Sequence, residues 1–99
     1  MARFDLFEAP DGSGMLVAVQ SDLIDVAKTR VVIPLLPTSI TPRAIDRLHP
    51  VFSIEGRDHV LATHLIATVP GEILVGRRGS LSAHRDEITT ALDMLFHGF

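Results

Sequence analysis

The sequence predicts a mainly β fold that ends in one α-helix. Short apolar runs are separated by turns rich in glycine and proline, and several runs alternate apolar with polar residues. Only the last segment has a helical period. Many short strands joined by turns are typical of a small barrel or sandwich. The chain of 99 residues has the length of one domain, and we assign residues 1–99 to a single domain.

The first third of the chain predicts a hairpin followed by a buried strand. Residues 3–8 alternate, residues 10–14 have turn composition, and residues 15–19 form a second apolar run. Residues 30–36 are apolar and rich in β-branched side chains, which is typical of a strand buried on both faces. Pro34 cannot donate a ladder hydrogen bond, so we expect an open edge or a bulge there.

The middle of the chain predicts a short helix and three more strands. Thr41 and Pro42 are suitable for an N-cap and a first turn, Ile45 and Leu48 for a buried side, and Pro50 for the end. The strands are expected at residues 51–54, 59–65 and 73–75, with turns at 55–58 and 69–71.

The last segment predicts an amphipathic helix. Its apolar residues fall on one helical face and are Ile88, Ala91, Leu92, Leu95 and Phe96. Ser80 or Ser82 could cap its start, and Gly98 suits its C-terminal end. The stripe predicts that Phe96 packs against the sheet. Phe99 lies beyond the helix, where it either folds back or is held out for a partner.

Composition excludes several classes of function. The 9 basic and 12 acidic residues give a net charge of −3, which disfavours direct tight binding of DNA or RNA. The absence of cysteine removes disulfides, thiolate catalysis and cysteine-ligated zinc. The longest apolar runs are far shorter than the ~20 residues of a membrane helix, and no secretory signal is evident. We therefore expect a cytoplasmic protein with no membrane partner.

The residues with catalytic or metal-binding chemistry form no recognisable motif. No two of the five histidines have the spacing of a metal pair on a helix, and we interpret them as solvent or edge residues. Gly12 and Gly14 lack the third glycine of a dinucleotide loop. We interpret Arg77 and Arg78 as a solvated turn rather than a phosphate site. The sequence thus predicts no catalytic residue, no metal and no cofactor.

Two features indicate contacts between chains. A domain this small without disulfides often relies on a second subunit, which favours a homodimer. Leu23 and Ile24 are apolar within a polar loop, so they either pack in the core or contact a partner. The same two alternatives stand for Phe99.

Six short segments together resemble the CcdB toxins, a family of plasmid-maintenance toxins. They are residues 20–25, 30–35, 48–51, 68–70, 81–85 and the ending 95–99. The resemblance implies a five-stranded antiparallel sheet in an SH3-like barrel, a small accessory sheet, a C-terminal helix and a homodimer. It also implies a poison of DNA gyrase, not an enzyme, that binds the gyrase A subunit and traps the cleaved DNA complex.

The resemblance further implies a cognate antitoxin that neutralises the toxin. Together the two proteins repress their own operon, and operator DNA is read through the antitoxin. The implied gyrase-binding residues are Leu23, Ile24, Asp93, Phe96, His97, Gly98 and Phe99. Phe96 and Gly98 match the family, whereas Asp93 replaces an asparagine. His97 and Phe99 stand where the best-known member has tryptophan and isoleucine.

Two other functions compete with gyrase poisoning. His97 in place of tryptophan is compatible with an interaction module that keeps dimerisation and antitoxin binding, including co-repression, but has lost poisoning. Ribonuclease toxins of the MazF type share the barrel, but they need a basic groove and acid–base groups. The acidic net charge and the helical ending disfavour the ribonuclease.

Overall fold

The fold begins with a hairpin in this computed structural model, which describes residues 2–24, 28–42 and 45–99. Strands β1 (Asp5–Glu8) and β2 (Met15–Ala18) pair antiparallel, with Leu6 opposite Val17. Gly12 in the connecting turn has a φ of 75°, a left-handed conformation that glycine adopts without strain. The predicted first hairpin is confirmed.

The long strand β3 (Thr29–Pro37) lies at the centre of the sheet. It pairs with β2 along one edge. Along its other edge, the first half pairs with β6 (Ala67–Pro70) and the last three residues pair with β5 (Arg57–Leu61). Pro34 lies between these two ladders, so its missing N–H falls where β3 changes partners. The edge predicted to be open at Pro34 is only partly so, because the Pro34 carbonyl accepts the Ala62 N–H at 2.9 Å.

A second hairpin and an edge strand complete the sheet. β4 (Val51–Ile54) and β5 are joined by Glu55 and Gly56, whose φ values of 53° and 78° are those a type I′ turn requires. β7 (Arg77–Ser80) pairs with β1. The seven described strands follow the order β4-β5-β3-β2-β1-β7, with β6 beside β3.

The described strands, including those expected in a small accessory sheet, are hydrogen-bonded into one antiparallel sheet. This sheet curls into a half-barrel. A mainly β fold with a C-terminal helix is therefore confirmed.

The predicted strand at residues 73–75 is wrong. Residues Gly71–Ile73 form a 3₁₀ turn, Leu74 is buried and Val75 is exposed. The solvated turn at Arg77 and Arg78 is also wrong, because both residues belong to β7. Apolar periodicity could not reveal this strand, since charged side chains occupy it and Arg77 contacts Asp5 with 3.0 Å between Nε and Oδ1.

The chain between β3 and β6 also departs from expectation. The predicted helix beginning at Thr41 extends over residues 43–44, which lie outside the described residues. Residues 46–48 form a turn in which Leu48 is buried, as expected, but Ile45 is exposed. The strand predicted at 59–65 ends at Leu61 and is followed by a 3₁₀ turn, Thr63–Leu65. The Thr63 hydroxyl donates to the Leu48 carbonyl at 2.6 Å, which links the two turns.

The C-terminal helix α1 (Arg85–His97) follows a 3₁₀ turn, Ser82–His84. Its N-cap residue is His84, so neither predicted serine caps it. Ser80 instead accepts the N–H of Ser82, at the start of the 3₁₀ turn. Gly98 has a φ of 81° and donates to the Met94 carbonyl, as predicted for a C-terminal glycine.

Apolar side chains pack on both faces of the first strands. In β1 and β2 the alternation directs Leu6 and Val17 toward the main core, and Phe7 and Leu16 toward a second cluster. The main core lies between the sheet and α1, where Ile88 is fully buried. The second cluster consists of Phe7, Ala9, Leu16, Ala18, Val32 and Leu74. Burial on both faces explains why β2 is continuously apolar.

Candidate functional site

The loop of residues 20–24, which connects β2 to the chain before β3, carries two exposed apolar side chains. Leu23 is 94% exposed and Ile24 is 55% exposed. The core alternative for this pair is therefore wrong. Leaving two large apolar side chains in water costs free energy, which binding to a partner would recover.

The end of α1 carries a second exposed surface, the C-terminal tip (residues 96–99). Phe96 is 66% exposed, so the prediction that it packs against the sheet is wrong. The helical stripe continues to Phe96, but burial weakens along it: Ile88 and Ala91 are fully buried and Leu92 only partly. Phe99 is 72% exposed, which decides between its two alternatives in favour of a side chain held out in solvent.

Two rings lie side by side at the C-terminal tip. The centroids of His97 and Phe99 are 6.1 Å apart, with an interplanar angle of 36°. The left-handed turn at Gly98 reverses the chain between them. Asp93 is exposed one turn before His97. The tip thus presents aromatic and apolar surface beside one carboxylate, an arrangement suited to binding a macromolecule.

Two of the five histidines are more buried than the sequence indicated, whereas His64, His84 and His97 are exposed as expected. His49 and His59 are buried. The Ile45 N–H donates to His49 Nδ1 at 3.0 Å, so neutral His49 carries its proton on Nε2, which lies 2.9 Å from His64 Nδ1. A metal at Nε2 would require the opposite tautomer. Among the described residues there is no group of three or more His, Asp or Glu side chains that could hold a metal ion.

A cleft of about 730 Å³ lies between the β1–β2 turn, the end of β3 and the β4–β5 hairpin. Arg78 is one of the two arginines among its described lining residues, and both oxygens of Glu55 accept from Arg78 Nη2 at 2.8 Å. This hydrogen bonding raises the pKa of Arg78 above its ordinary value. The Oε2 atom of Glu8 lies 3.5 Å from Nη1 of the same guanidinium. The cation is thus paired with carboxylates, which weakens the case for an RNA-binding groove.

The model of the CcdB protein family matches residues 3–98 of this chain. The chain belongs to the CcdB family. It therefore has the fold of a toxin from a toxin–antitoxin system. The match includes the 20–24 loop and all of α1, and it stops one residue before Phe99. Among the described helices, none is long and apolar enough to cross a membrane.

The residues for which the CcdB resemblance implies gyrase binding lie in two parts of the chain. Asp93, Phe96 and His97 share the last turns of α1, with Gly98 and Phe99 directly after it. Leu23 and Ile24 lie on the 20–24 loop. Sequence reasoning missed the polar residues that hold this loop, above all Gln20 and Asp22. The sequence carried a signal for Asp22, because short polar side chains beside a break in an apolar run often bond to the backbone.

Proposed function

We propose that this CcdB-family chain is a toxin that binds the DNA gyrase A subunit and traps the enzyme with its DNA cleaved. The observation that carries the proposal is the exposure of Leu23, Ile24 and Phe96. These are the positions at which the family resemblance implies contact with gyrase. They are large apolar side chains that the fold leaves in water.

Poisoning of this kind requires binding, not covalent chemistry. A ligand shifts an enzyme toward a state only to the extent that it binds that state better than the others. The toxin would therefore contact the cleaved gyrase complex more extensively than the resealed one. Aromatic residues suit this role, since Phe96 and Phe99 can bury much area while few rotatable bonds become ordered.

We further propose the partners that accompany this function. The chain forms a homodimer, which presents each surface twice, and a cognate antitoxin covers the toxin. Operator DNA is contacted through the antitoxin, in keeping with the net charge of −3. Gyrase works on cytoplasmic DNA in bacteria, so we place the protein in the cytoplasm. In this proposal the chain acts as an inhibitor rather than as an enzyme.

A cleavage-complex assay tests the proposal. Purified protein is added to gyrase from the source organism with supercoiled plasmid and ATP, and detergent and protease then release trapped DNA. We expect linear plasmid that increases with dose. No linear plasmid from folded, dimeric protein would overturn the proposal. Gyrase from the source organism is essential, because the contact surfaces of the two proteins can change together.

His97 supports one second candidate. The resemblance implies that the tryptophan at this position stacks on an arginine of gyrase, and a neutral imidazole is a smaller partner for that cation. A chain that has lost this contact could remain an interaction module that dimerises and binds the antitoxin. Such a module would bind the antitoxin in a pull-down experiment and yield no linear plasmid in the cleavage assay.

A further inference from the structure

The 20–24 loop is held by hydrogen bonds rather than by burial. Leu23 and Ile24 point into solvent, so apolar packing cannot fix the backbone that carries them. The Leu23 N–H donates to the Ser21 hydroxyl at 3.2 Å, and the Ile24 N–H donates to the Ser21 carbonyl at 3.0 Å. These bonds close a tight turn, and two side-chain anchors attach that turn to the sheet.

Gln20 is the first anchor. Its Oε1 accepts the Val31 N–H at 3.2 Å, and its Nε2 donates to the Ile24 carbonyl at 2.6 Å. The Val19 N–H donates to the Val31 carbonyl just before this point. The amide of Gln20 therefore continues the β2–β3 ladder by one side chain and clamps the end of the loop to β3.

Asp22 is the second anchor. Its Oδ1 accepts the backbone N–H of Arg3 at 2.8 Å. The Arg3 side chain also donates from Nε to the Val19 carbonyl at 2.9 Å. The segment before β1 and the end of β2 thus hold the loop from the side opposite to β3.

We propose that Gln20 is a positioning residue that holds Leu23 and Ile24 in the geometry in which they contact gyrase A. This inference rests on the proposed function. A loop that is already ordered loses less conformational entropy on binding than a free loop does. Gln20 would therefore strengthen binding without touching the partner, and it would act only through the two apolar side chains.

Gln20→Glu is the most selective variant. The glutamate keeps an oxygen for the Val31 N–H but replaces the donor to Ile24 with a second oxygen, which a carbonyl repels. We expect about tenfold weaker binding to the isolated gyrase A subunit, since losing one such hydrogen bond changes an equilibrium by up to this factor. The thermal midpoint of the free toxin should change little, because the loop contributes no core residue.

A double-mutant cycle separates positioning from general damage. In the Leu23→Ala/Ile24→Ala background, Gln20→Glu should weaken binding less than twofold further, because there is no apolar contact left to position. A full tenfold loss in that background would overturn the proposal. Asp22 supplies a matched control: Asp22→Asn keeps the acceptor for Arg3 and should bind like the wild type, whereas Asp22→Ala should weaken binding.

The hydrogen bonds of the Gln20 amide to Val31 and Ile24 can be observed directly by NMR without gyrase. Gln20 is the only glutamine, and the chain has no asparagine, so the Nε2 protons of Gln20 give the only side-chain amide pair in a ¹⁵N spectrum. We expect that pair to be protected from exchange, and Gln20→Glu to lower the order parameters of Leu23 and Ile24. If the wild type fails to bind gyrase, the proposed function fails. The gyrase contact in the inference would then fail with it, and the order parameters alone would decide whether Gln20 holds the loop: unchanged values would overturn that role as well.

Discussion

At the scale of single residues, the proposed function makes His97 the position that limits how strongly the C-terminal tip binds gyrase. Tryptophan is the best ring for a cation–π contact, and imidazolium would repel an arginine. We predict that His97→Trp raises poisoning roughly tenfold, because restoring such a contact is worth on the order of 1–3 kcal/mol. The measurement is the toxin concentration that gives half-maximal linear plasmid. Unchanged potency would show that this position is not limiting.

Phe99 lies next to His97 and can supply aromatic surface that the histidine lacks. We predict that Phe99→Ala abolishes formation of linear plasmid while the protein remains folded, since the side chain is largely exposed. Val75→Ala is the matched control, because Val75 is also a strongly exposed apolar residue but lies outside the proposed surface. A fully toxic Phe99→Ala protein would contradict the prediction.

Asp11 and Ser13 form a small hydrogen-bonded unit in the β1–β2 turn. The Ser13 hydroxyl and N–H both donate to Asp11 Oδ1, at 2.6 and 2.9 Å, and hold the pKa of Asp11 below its ordinary value of 3.8. The folded-state pKa is depressed, so this stabilisation is present above about pH 4 and is lost as the pH falls through the lowered pKa.

We predict that Ser13→Ala raises the pKa of Asp11, because the hydroxyl is the largest cause of the shift. The remaining N–H should keep the pKa below 3.8. An NMR titration of the Asp11 carboxyl measures it, with Ser80→Ala as the control. An equal pKa in both variants would assign the shift to the backbone alone.

Sequence periodicity predicted the type of element at Phe96 but not its exposure. The apolar stripe Ile88, Ala91, Leu92, Leu95 and Phe96 is uniform in sequence, whereas burial decreases along it. Periodicity reports which residues share a helix face. It does not report where the neighbouring sheet ends, which depends on contacts between distant segments. The family resemblance implies that Phe96 contacts a partner, and this stays a prediction.

At the scale of elements, the approach of β2 to β3 depends on Gly14. A Cβ built on Gly14 would lie 2.2 Å from the Leu35 carbonyl oxygen, a backbone atom that cannot move aside. We predict that Gly14→Ala lowers the free energy of unfolding by about 3 kcal/mol or more, through a clash in a packed region. Urea denaturation measures the change.

Gly12→Ala is the matched control for Gly14→Ala. Gly12 has open space around its Cβ position, and its φ of 75° is the only obstacle to a side chain. The backbone strain alone should cost about 1 kcal/mol. Equal losses for the two variants would show that the close approach of the strands is relaxed in solution.

The strands could be predicted from sequence where burial dictates their composition, and not elsewhere. β1, β2, β3 and β4 were found because apolar residues pack on one or both of their faces. β7 has the sequence Arg-Arg-Gly-Ser and lies at an edge, where Arg77 and Arg78 bond to carboxylates. Its pairing with β1 depends on contacts across about 70 residues of sequence, which local patterns do not encode.

At the scale of the whole molecule, the proposed function assigns stability and partner binding to different surfaces of the same helix. Ile88 and Ala91 fix α1 to the sheet, whereas Asp93, Phe96 and His97 face solvent. Helix α1 is thus part of the core at its start and exposed to solvent at its end, where the proposed function places a binding surface. We therefore expect substitutions at the start of α1 to affect folding and substitutions at its end to affect toxicity.

Two truncations on α1 test that separation. Ile88→Ala leaves a cavity in the main core and should cost about 2–5 kcal/mol, which lowers the thermal midpoint by roughly 10 °C or more. Phe96→Ala removes an exposed side chain and should change stability by less than about 0.5 kcal/mol while abolishing formation of linear plasmid. Ile88→Ala protein assayed well below its midpoint should still poison gyrase, because its binding surface is intact. The reverse pattern, with a stable but inactive Ile88→Ala and an active Phe96→Ala, would place the gyrase-binding surface elsewhere on the molecule.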